Sequence, residues 1–336
     1  MTSSPNSGMP SRSSKKPPKK RRGLKVFLWF LTLILLIGGG IIGYLYVQFN
    51  GLIGDVAADS PNAAPVPKGE LASEKPKTLL LLGLDSRKQT HTMLTDVIMV
   101  VTLNPKTKHA TIVSIPRDTR MEVPGFNRVS KANSYYAAFH NKNDYNDPVD
   151  TNMKSFFGKY LDVPIDYVST INFQGFREVV DAVGGVEVDI DMDMRYTDSA
   201  DGTDIDLKKG DNQLLNGDNA LDFVRYRKSN HGTGASSDLE RNARQQQVIH
   251  QLVDKLKSFQ GITKINGIFK ALGDNVSTDI QEEQLKSFIT TYIGISNDNI
   301  EYIPLDGTWK SPYIHIDEQQ LEAAKSKLKA TLEGSQ

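Results

Sequence analysis

The chain has 336 residues, with 40 basic and 40 acidic side chains and no cysteine. Without cysteine there is no disulfide framework, no zinc–thiolate site and no thiol nucleophile. Eight of the basic residues (Arg12, Lys15, Lys16, Lys19, Lys20, Arg21, Arg22 and Lys25) lie in the first 25 positions, so the remainder sets 32 bases against 40 acids, a net of −8. That balance argues against a nucleic-acid partner, whose protein footprint is basic.

Residues 1–25 combine Ser, Pro, Lys and Arg without an acid, a composition that cannot bury a core and predicts a disordered tail. Residues 26–47 follow, 22 positions without a charge, long enough to cross a bilayer as a helix. The run is too long for the apolar part of a cleaved signal, and no small-residue cleavage motif follows promptly, so an uncleaved signal anchor is expected. With the basic block on its N-terminal side, the tail is placed in the cytoplasm and all that follows outside, giving a single-pass protein of the cell membrane. Residues 48–77, with Pro61, Pro65, Pro67 and Pro76, read as an extracellular linker. From 78 to about 332 there is no further composition shift and no repeat, and one domain of this length buries a core without disulfides.

Within the domain, Leu79–Leu84, Val97–Leu103 and Ala110–Ile115 are apolar runs closed by polar clusters, the pattern of three buried strands. Asp85 and Arg87 follow the first, Asp96 opens the second, and Arg117 and Asp118 follow the third. Ligands of open α/β sheets bind beyond strand ends. Carboxylates there suit a hard cation and arginines suit phosphate, although strand-end charges are also commonly just solvated. Next come helices over Lys131–His140 and Asp150–Leu161, a strand over Tyr167–Asn172, a helix over Gly175–Val183 and a strand over Val186–Ile190. Met192–Gly210 reads as an acidic, irregular surface loop.

Leu214–Phe223 predicts a short helix interrupted by Gly217 and leading into an extended Val224–Arg227, which would point Arg225 and Arg227 the same way. A long helix runs from Asp238 to about Phe259, capped by Ser237 or Asp238. Arg241, Arg244 and Gln245 share a face of it. Two arginines in the first turns oppose the helix dipole, a cost that a bound anion would relieve; a solvated basic face compensated by Glu240 is the alternative. A helix through Phe269, another near Gln281–Ile293, a strand at Ile300–Leu305 and a C-terminal helix from about Asp317 complete the chain. The alternation predicts an α/β fold, a central mixed sheet with helices on both faces (an α-β-α sandwich), preceded by one transmembrane helix. No G-x-S-x-G, H-E-x-x-H or phosphate-loop motif occurs, and the histidines have no ligand spacing.

The segments LLLGLDSR, TDVIMVVTLNP, TIVSIPRDT, KANSYY, FVRYRK and DLERNARQQQ occur in the order and approximate spacing found in the LytR-CpsA-Psr family, which the chain resembles from about Thr78 to Leu256. The tail and single membrane helix resemble that family's usual layout. The resemblance implies an extracellular phosphotransferase of the Gram-positive cell wall. Such an enzyme moves an anionic glycopolymer of teichoic-acid or capsule type, with its proximal phosphate, from a polyprenyl-pyrophosphate carrier to peptidoglycan. It further implies magnesium held by Asp85 and Asp96, a catalytic set of Asp85, Asp96 and Arg117, and a phosphate site of Arg87, Arg117, Arg225, Arg227, Arg241, Arg244 and Gln245. Many members carry arginine two residues before the second aspartate where this chain has Leu94, which implies that a phosphate contact is either missing here or supplied by another residue, with Lys131 the candidate. Phe139, Phe156, Phe157, Tyr160, Phe173 and Phe176 are candidates to line a groove for the lipid, or else simple core. A non-catalytic binder of the lipid-linked polymer and a pyrophosphate hydrolase are the remaining readings. A cytoplasmic DNA-binding regulator is not, because 25 residues are too few to fold one.

Overall fold

The computed structural model describes residues 66–87, 92–141, 148–199, 202–258, 273 and 275–335. The expected tail, membrane helix and most of the linker, and the helix expected through Phe269, lie outside the described residues. Among the described residues no helix is long and apolar enough to cross a membrane.

The three leading runs form strands β1 (Lys77–Arg87), β2 (Thr92–Asn104) and β3 (His109–Ser114). A small hairpin, β4 (Arg120–Met121) with β5 (Ser130–Lys131), follows. Then come a 3-10 turn at Ala132–Ser134 and helices α1 (Tyr135–His140) and α2 (Val149–Leu161). Strand β6 (Tyr167–Asn172) leads into α3 (Phe173–Val183), whose first turn is capped by Asn172 accepting from the Gly175 amide. Strands β7 (Val186–Ile190), β8 (Met194–Asp198), β9 (Thr203–Leu207) and β10 (Gly210–Leu215) precede α4 (Gly217–Arg225) and α5 (Asp238–Lys257). The chain ends with β11 (Val276–Thr278), α6 (Glu282–Tyr292), β12 (Ile300–Pro304), the hairpin β13 (Gly307–Lys310) and β14 (Tyr313–Ile316), and α7 (Glu318–Glu333).

The central sheet has the order β11-β6-β1-β2-β3-β12. It is mixed: β1–β2, β2–β3 and β6–β11 are antiparallel, while β1–β6 and β3–β12 are parallel. Side chains alternate across it. Leu80, Leu82, Leu84, Ile98, Val100 and Val113 face α1, α2 and α7, where Tyr135 stacks on Phe156 with ring centroids 4.0 Å apart. Truncating a fully buried ring such as Phe156 costs roughly 3–5 kcal/mol. The opposite face, Leu79, Leu81, Met99, Val101 and Ile112, meets Phe288 of α6 and Ile249 of α5. Helices thus cover both faces, as the alternation of elements predicts.

Three local expectations are corrected. Met192–Gly210 is not irregular: β8 and β9 pair antiparallel, with Met194, Ile205 and Leu207 turned into a second core with Val186, Val188 and Phe223. The Val224–Arg227 segment is not a strand, because helix α4 runs through Arg225 and caps at Tyr226. Nor does Gly217 interrupt that helix. It is the first helical residue after the Asn216 cap, and a Cβ there would lie 2.2 Å from the Arg177 carbonyl oxygen, so glycine is what lets α4 seat on α3.

Candidate active site

Register explains how two carboxylates arrive on one face. Residues paired across an antiparallel ladder share a face, so Asp85, five residues past Leu80, belongs with Leu79, Leu81 and Gly83. By simple alternation Asp96 would fall on the other face, with Ile98 and Val100. The ladder, however, pairs Gly83 with Val97 and Leu84 with Thr95, so Asp96 is the extra residue of a β-bulge. A bulge re-aims a side chain, and both Asp85 and Asp96 consequently line one cavity of about 740 Å³ between the sheet and helices α3, α4 and α5. Gly83 sits at the bulge, where a Cβ would press to 3.0 Å from the Val97 Cβ.

The inner wall of this cavity is apolar, with Leu81, Val101, Ile112, Val179, Leu221 and Ile249 among its lining. Its polar residues come from separate elements: Arg117 from the loop after β3, Arg225 and Arg227 from the end of α4, and Arg241, Asn242 and Gln245 from the first turns of α5. Helix α5 begins with a capping box in which the Ser237 hydroxyl accepts from the Glu240 amide and Glu240 accepts from Ser237, satisfying two orphan donors.

Arg117 Nη1 donates to Asp96 Oδ1 at 2.6 Å, and its buried Nε has no hydrogen-bond partner among the described residues, the Asp118 carboxylate standing 3.7 Å away. Burial alone would weaken the Arg117 cation, but Asp96, Asp118 and Asp85 together hold its pKa above the ordinary value. Burial likewise opposes ionisation of Asp118, yet a hydrogen bond from Lys131 and the charges of Arg117, Lys131 and Arg227 outweigh it and keep that carboxyl low. Arg241 is different: burial first, then repulsion from Arg117 and Arg227, lower its pKa to about 10. An anion among these three guanidinium groups would reverse that repulsion. Arg225 lies with its guanidinium 4.3 Å from the Phe173 ring centroid, a cation–π contact that fixes the head at the cavity wall.

Of the residues expected in the site, Asp85, Asp96, Arg117, Arg225, Arg227, Arg241 and Gln245 line this cavity. Arg244 does not. It is 1% exposed, its Nε and Nη2 each donate to Asp191 at 2.7 Å, and Nη1 donates to Ser236 Oγ at 2.8 Å. The cavity face of α5 is 241, 242, 245, 248, 249 and 252; position 244 is turned about 100° off Gln245, toward β7. Lys131 also lies outside the lining, donating to Asp118 Oδ1 at 2.8 Å rather than reaching into the site. Leu94 pairs with Asp85 in the ladder, so the departure from arginine is on the site's own face, beside its first carboxylate. The Arg87 backbone ends β1, and its side chain lies outside the described residues. Of the aromatic candidates, Phe139, Phe156 and Phe157 are core on the opposite face with Tyr160 packed against them, while Phe173 and Phe176 line the cavity.

Sequence reasoning missed Asn242, Asp191 and the hairpin residues Tyr196, Asp198 and Thr203, which also line the cavity apart from Asp191. The hairpin had a signal: alternating apolar positions either side of Asp201-Gly202, a turn dipeptide. Asp85 and Asp96 can serve a magnesium ion only in part. Among the described residues no three His, Cys, Asp or Glu side chains gather to hold an ion; a magnesium ion at this pair would need water and substrate phosphate to complete its shell.

The LytR_cpsA_psr family model matches residues 44–330. The polyisoprenyl-teichoic acid–peptidoglycan teichoic acid transferase TagU of Halalkalibacterium halodurans is 31% identical over 308 residues, 89% of this chain and 94% of that protein. TagU of Bacillus cereus is 32% identical over 323 residues, covering 92% and 98%. Among solved structures, B. subtilis TagV superposes with a TM-score of 0.61 at 30% identity over 77% of this chain and 98% of its own. TagT bound to LI-WTA gives 0.57 at 26% identity, covering 83% and 97%.

Proposed function

The chain belongs to the LytR-CpsA-Psr family, and on that premise we propose that it transfers an anionic glycopolymer of teichoic-acid type, with its proximal phosphate, from a polyprenyl-pyrophosphate carrier to a peptidoglycan hydroxyl. The observation that carries this reading is the continuity of an apolar cavity with a cluster of Arg117, Arg225, Arg227 and Arg241: one compartment suited to a lipid chain and an adjoining one suited to its pyrophosphate.

In this reaction the acceptor oxygen attacks the phosphorus that carries the sugar. The bond from that phosphorus to the bridging oxygen breaks, polyprenyl phosphate leaves, and the hydroxyl proton passes to a carboxylate of the Asp85/Asp96 pair. Phosphoryl transfer is governed by positioning and by neutralising spread charge. Arg117, oriented by Asp96, and Arg241, crowded by its neighbours, are aimed at that task. Magnesium held by Asp85 and Asp96 together with phosphate oxygens would add charge neutralisation at the leaving group. Residues 26–47 as membrane anchor, with the domain outside, complete the proposal and keep the cavity near its lipid substrate.

The test uses the full chain in nanodiscs with magnesium, a synthetic polyprenyl-pyrophosphate glycan and peptidoglycan oligomers, read by mass spectrometry. A phosphodiester-linked glycan on the oligomer is expected, reduced by roughly 10²–10³ in folded Arg117→Ala and strongly in Asp96→Ala. Release of phosphorylated glycan to water alone would identify a hydrolase, and tight binding with no product would refute transfer.

A further inference from the structure

Trp309 is a large apolar side chain left 51% exposed. Its hairpin is nonetheless firmly attached: Ile314, opposite Trp309 in the β13–β14 ladder, is 3% exposed and bridges to Thr119, two residues beyond Arg117. Lys131 Nζ lies 5.7 Å from the indole centroid and 2.8 Å from Asp118 Oδ1. Asp118 in turn stands 3.7 Å from Arg117 Nε and 3.9 Å from Arg227 Nη1. Both of those arginines line the cavity, whereas Lys131 and Trp309 do not. Contacts therefore run from the cavity's arginines through the buried Asp118 to Lys131 and on to the exposed indole.

A carrier with its chain in the cavity and its pyrophosphate on the arginines has one component left to place at the next step outward, the sugar. A pyranose offers a face of C–H groups and a rim of hydroxyls, which an indole face with an ammonium beside it complements. We infer that Trp309, with Lys131 held beside it by Asp118, forms a pyranose-binding subsite flanking the phosphate site, an inference that takes its ligand from the transferase reading above. The sugar is either the first ring of the donor or a ring of the acceptor glycan, and the two share this chemistry. A lipid headgroup layer is the poorer occupant, because the Lys131 charge is already paired with Asp118.

The chain has two tryptophans, so in full chain carrying Trp29→Phe the indole emission reports Trp309 alone. In zwitterionic nanodiscs this protein is titrated with polyprenyl pyrophosphate lacking sugar, with the same lipid bearing an N-acetylhexosamine, and with a soluble peptidoglycan disaccharide. A saturable emission change with the glycosylated lipid or the disaccharide, and none with the bare lipid, is expected; which ligand produces it separates donor from acceptor. Trp309→Ala should weaken binding of that ligand about three- to tenfold and leave bare-lipid affinity unchanged, with Trp309→Phe recovering most of the loss. Equal effects on glycosylated and bare lipid overturn the subsite. So does an emission shift caused by anionic nanodiscs alone and indifferent to sugar, which would identify a membrane contact. Transfer without any sugar-dependent change sinks the subsite and leaves the transferase standing; sugar-dependent emission without transfer does the reverse.

Discussion

Arg241 and Arg244 lie three positions apart on one helix, yet the structure gives them opposite work. Arg244 is 1% exposed and doubly bonded to Asp191, whose own side chain is 37% exposed. Removing one partner of a buried pair costs roughly 3–5 kcal/mol when the survivor is left buried and unpaired. The two halves of this pair are unequal by that rule. Asp191→Ala strands a wholly buried guanidinium and should cost about 3 kcal/mol, or roughly 6–12 °C in Tm for a domain of this size. Arg244→Met leaves a carboxylate that can turn to water and fills the space with an apolar chain, so about 1–2 kcal/mol is expected. Arg241→Met removes a cation crowded by Arg117 and Arg227 and should lower Tm less than Asp191→Ala does, while weakening binding of polyprenyl pyrophosphate by roughly tenfold or more. Thermal melts and lipid titrations on the same three variants decide the matter. If Arg244→Met weakened lipid binding without lowering Tm, or if Asp191→Ala melted like the parent, the structural assignment of Arg244 would be refuted.

Three further outcomes are expected. Val179→Trp, which fills the apolar part of the cavity from α3, should abolish binding of long-chain polyprenyl pyrophosphate, measured by titration, while a short-chain analogue still binds; loss of both would mean a disturbed fold. Asp118 is held below the usual carboxylate range by Lys131, Arg117 and Arg227 against the effect of burial, so its stabilisation is complete above that range and lost as pH falls through its folded value. Asp118→Asn should therefore lower Tm at pH 7, with the difference from the parent shrinking as pH falls below the usual carboxylate range. Asp222 behaves oppositely: burial, with Asp218 adding and Arg225 opposing, raises it to about 6. The fold binds that proton more tightly than the unfolded chain, and the penalty appears as pH rises from about 4 to 6. Discounted for partial exposure, Asp222→Asn should gain about 1 kcal/mol at pH 8 and little at pH 4, visible as paired melts.

The three leading strands, the two-sided helical cover and the capped long helix were legible in the sequence because each depends on local period: runs of leucine and β-branched residues, or an apolar stripe behind a Ser237 cap. The failures have physical causes of another kind. Met192–Gly210 was masked by its acids, which occupy the outward positions of β9 while Ile205 and Leu207 point in. Arg244 could not be separated from Arg241 by spacing alone, since its partner Asp191 lies 53 residues upstream. Phe156 and Phe173 look alike in the sequence, and only the packing of their helices on opposite faces of the sheet sends one to the closed core and the other to the cavity wall.

Asp96 shows most clearly how a correct assignment can lack a local explanation. The sequence places it 11 residues beyond Asp85, and an uninterrupted ladder would set the two carboxylates on opposite faces of the sheet, unable to share a substrate. One extra residue in β2, opposite Gly83, corrects the parity. Everything chemical at this end of the sheet depends on that slip: Asp96 orients Arg117 only because it has been turned toward the cavity, and Arg117 in turn crowds Arg241. Single-residue offsets of this kind invert the facing of a strand by leaving one residue unpaired in the ladder. No side-chain pattern within β2 announces one, and it becomes visible only when the partner strand is known.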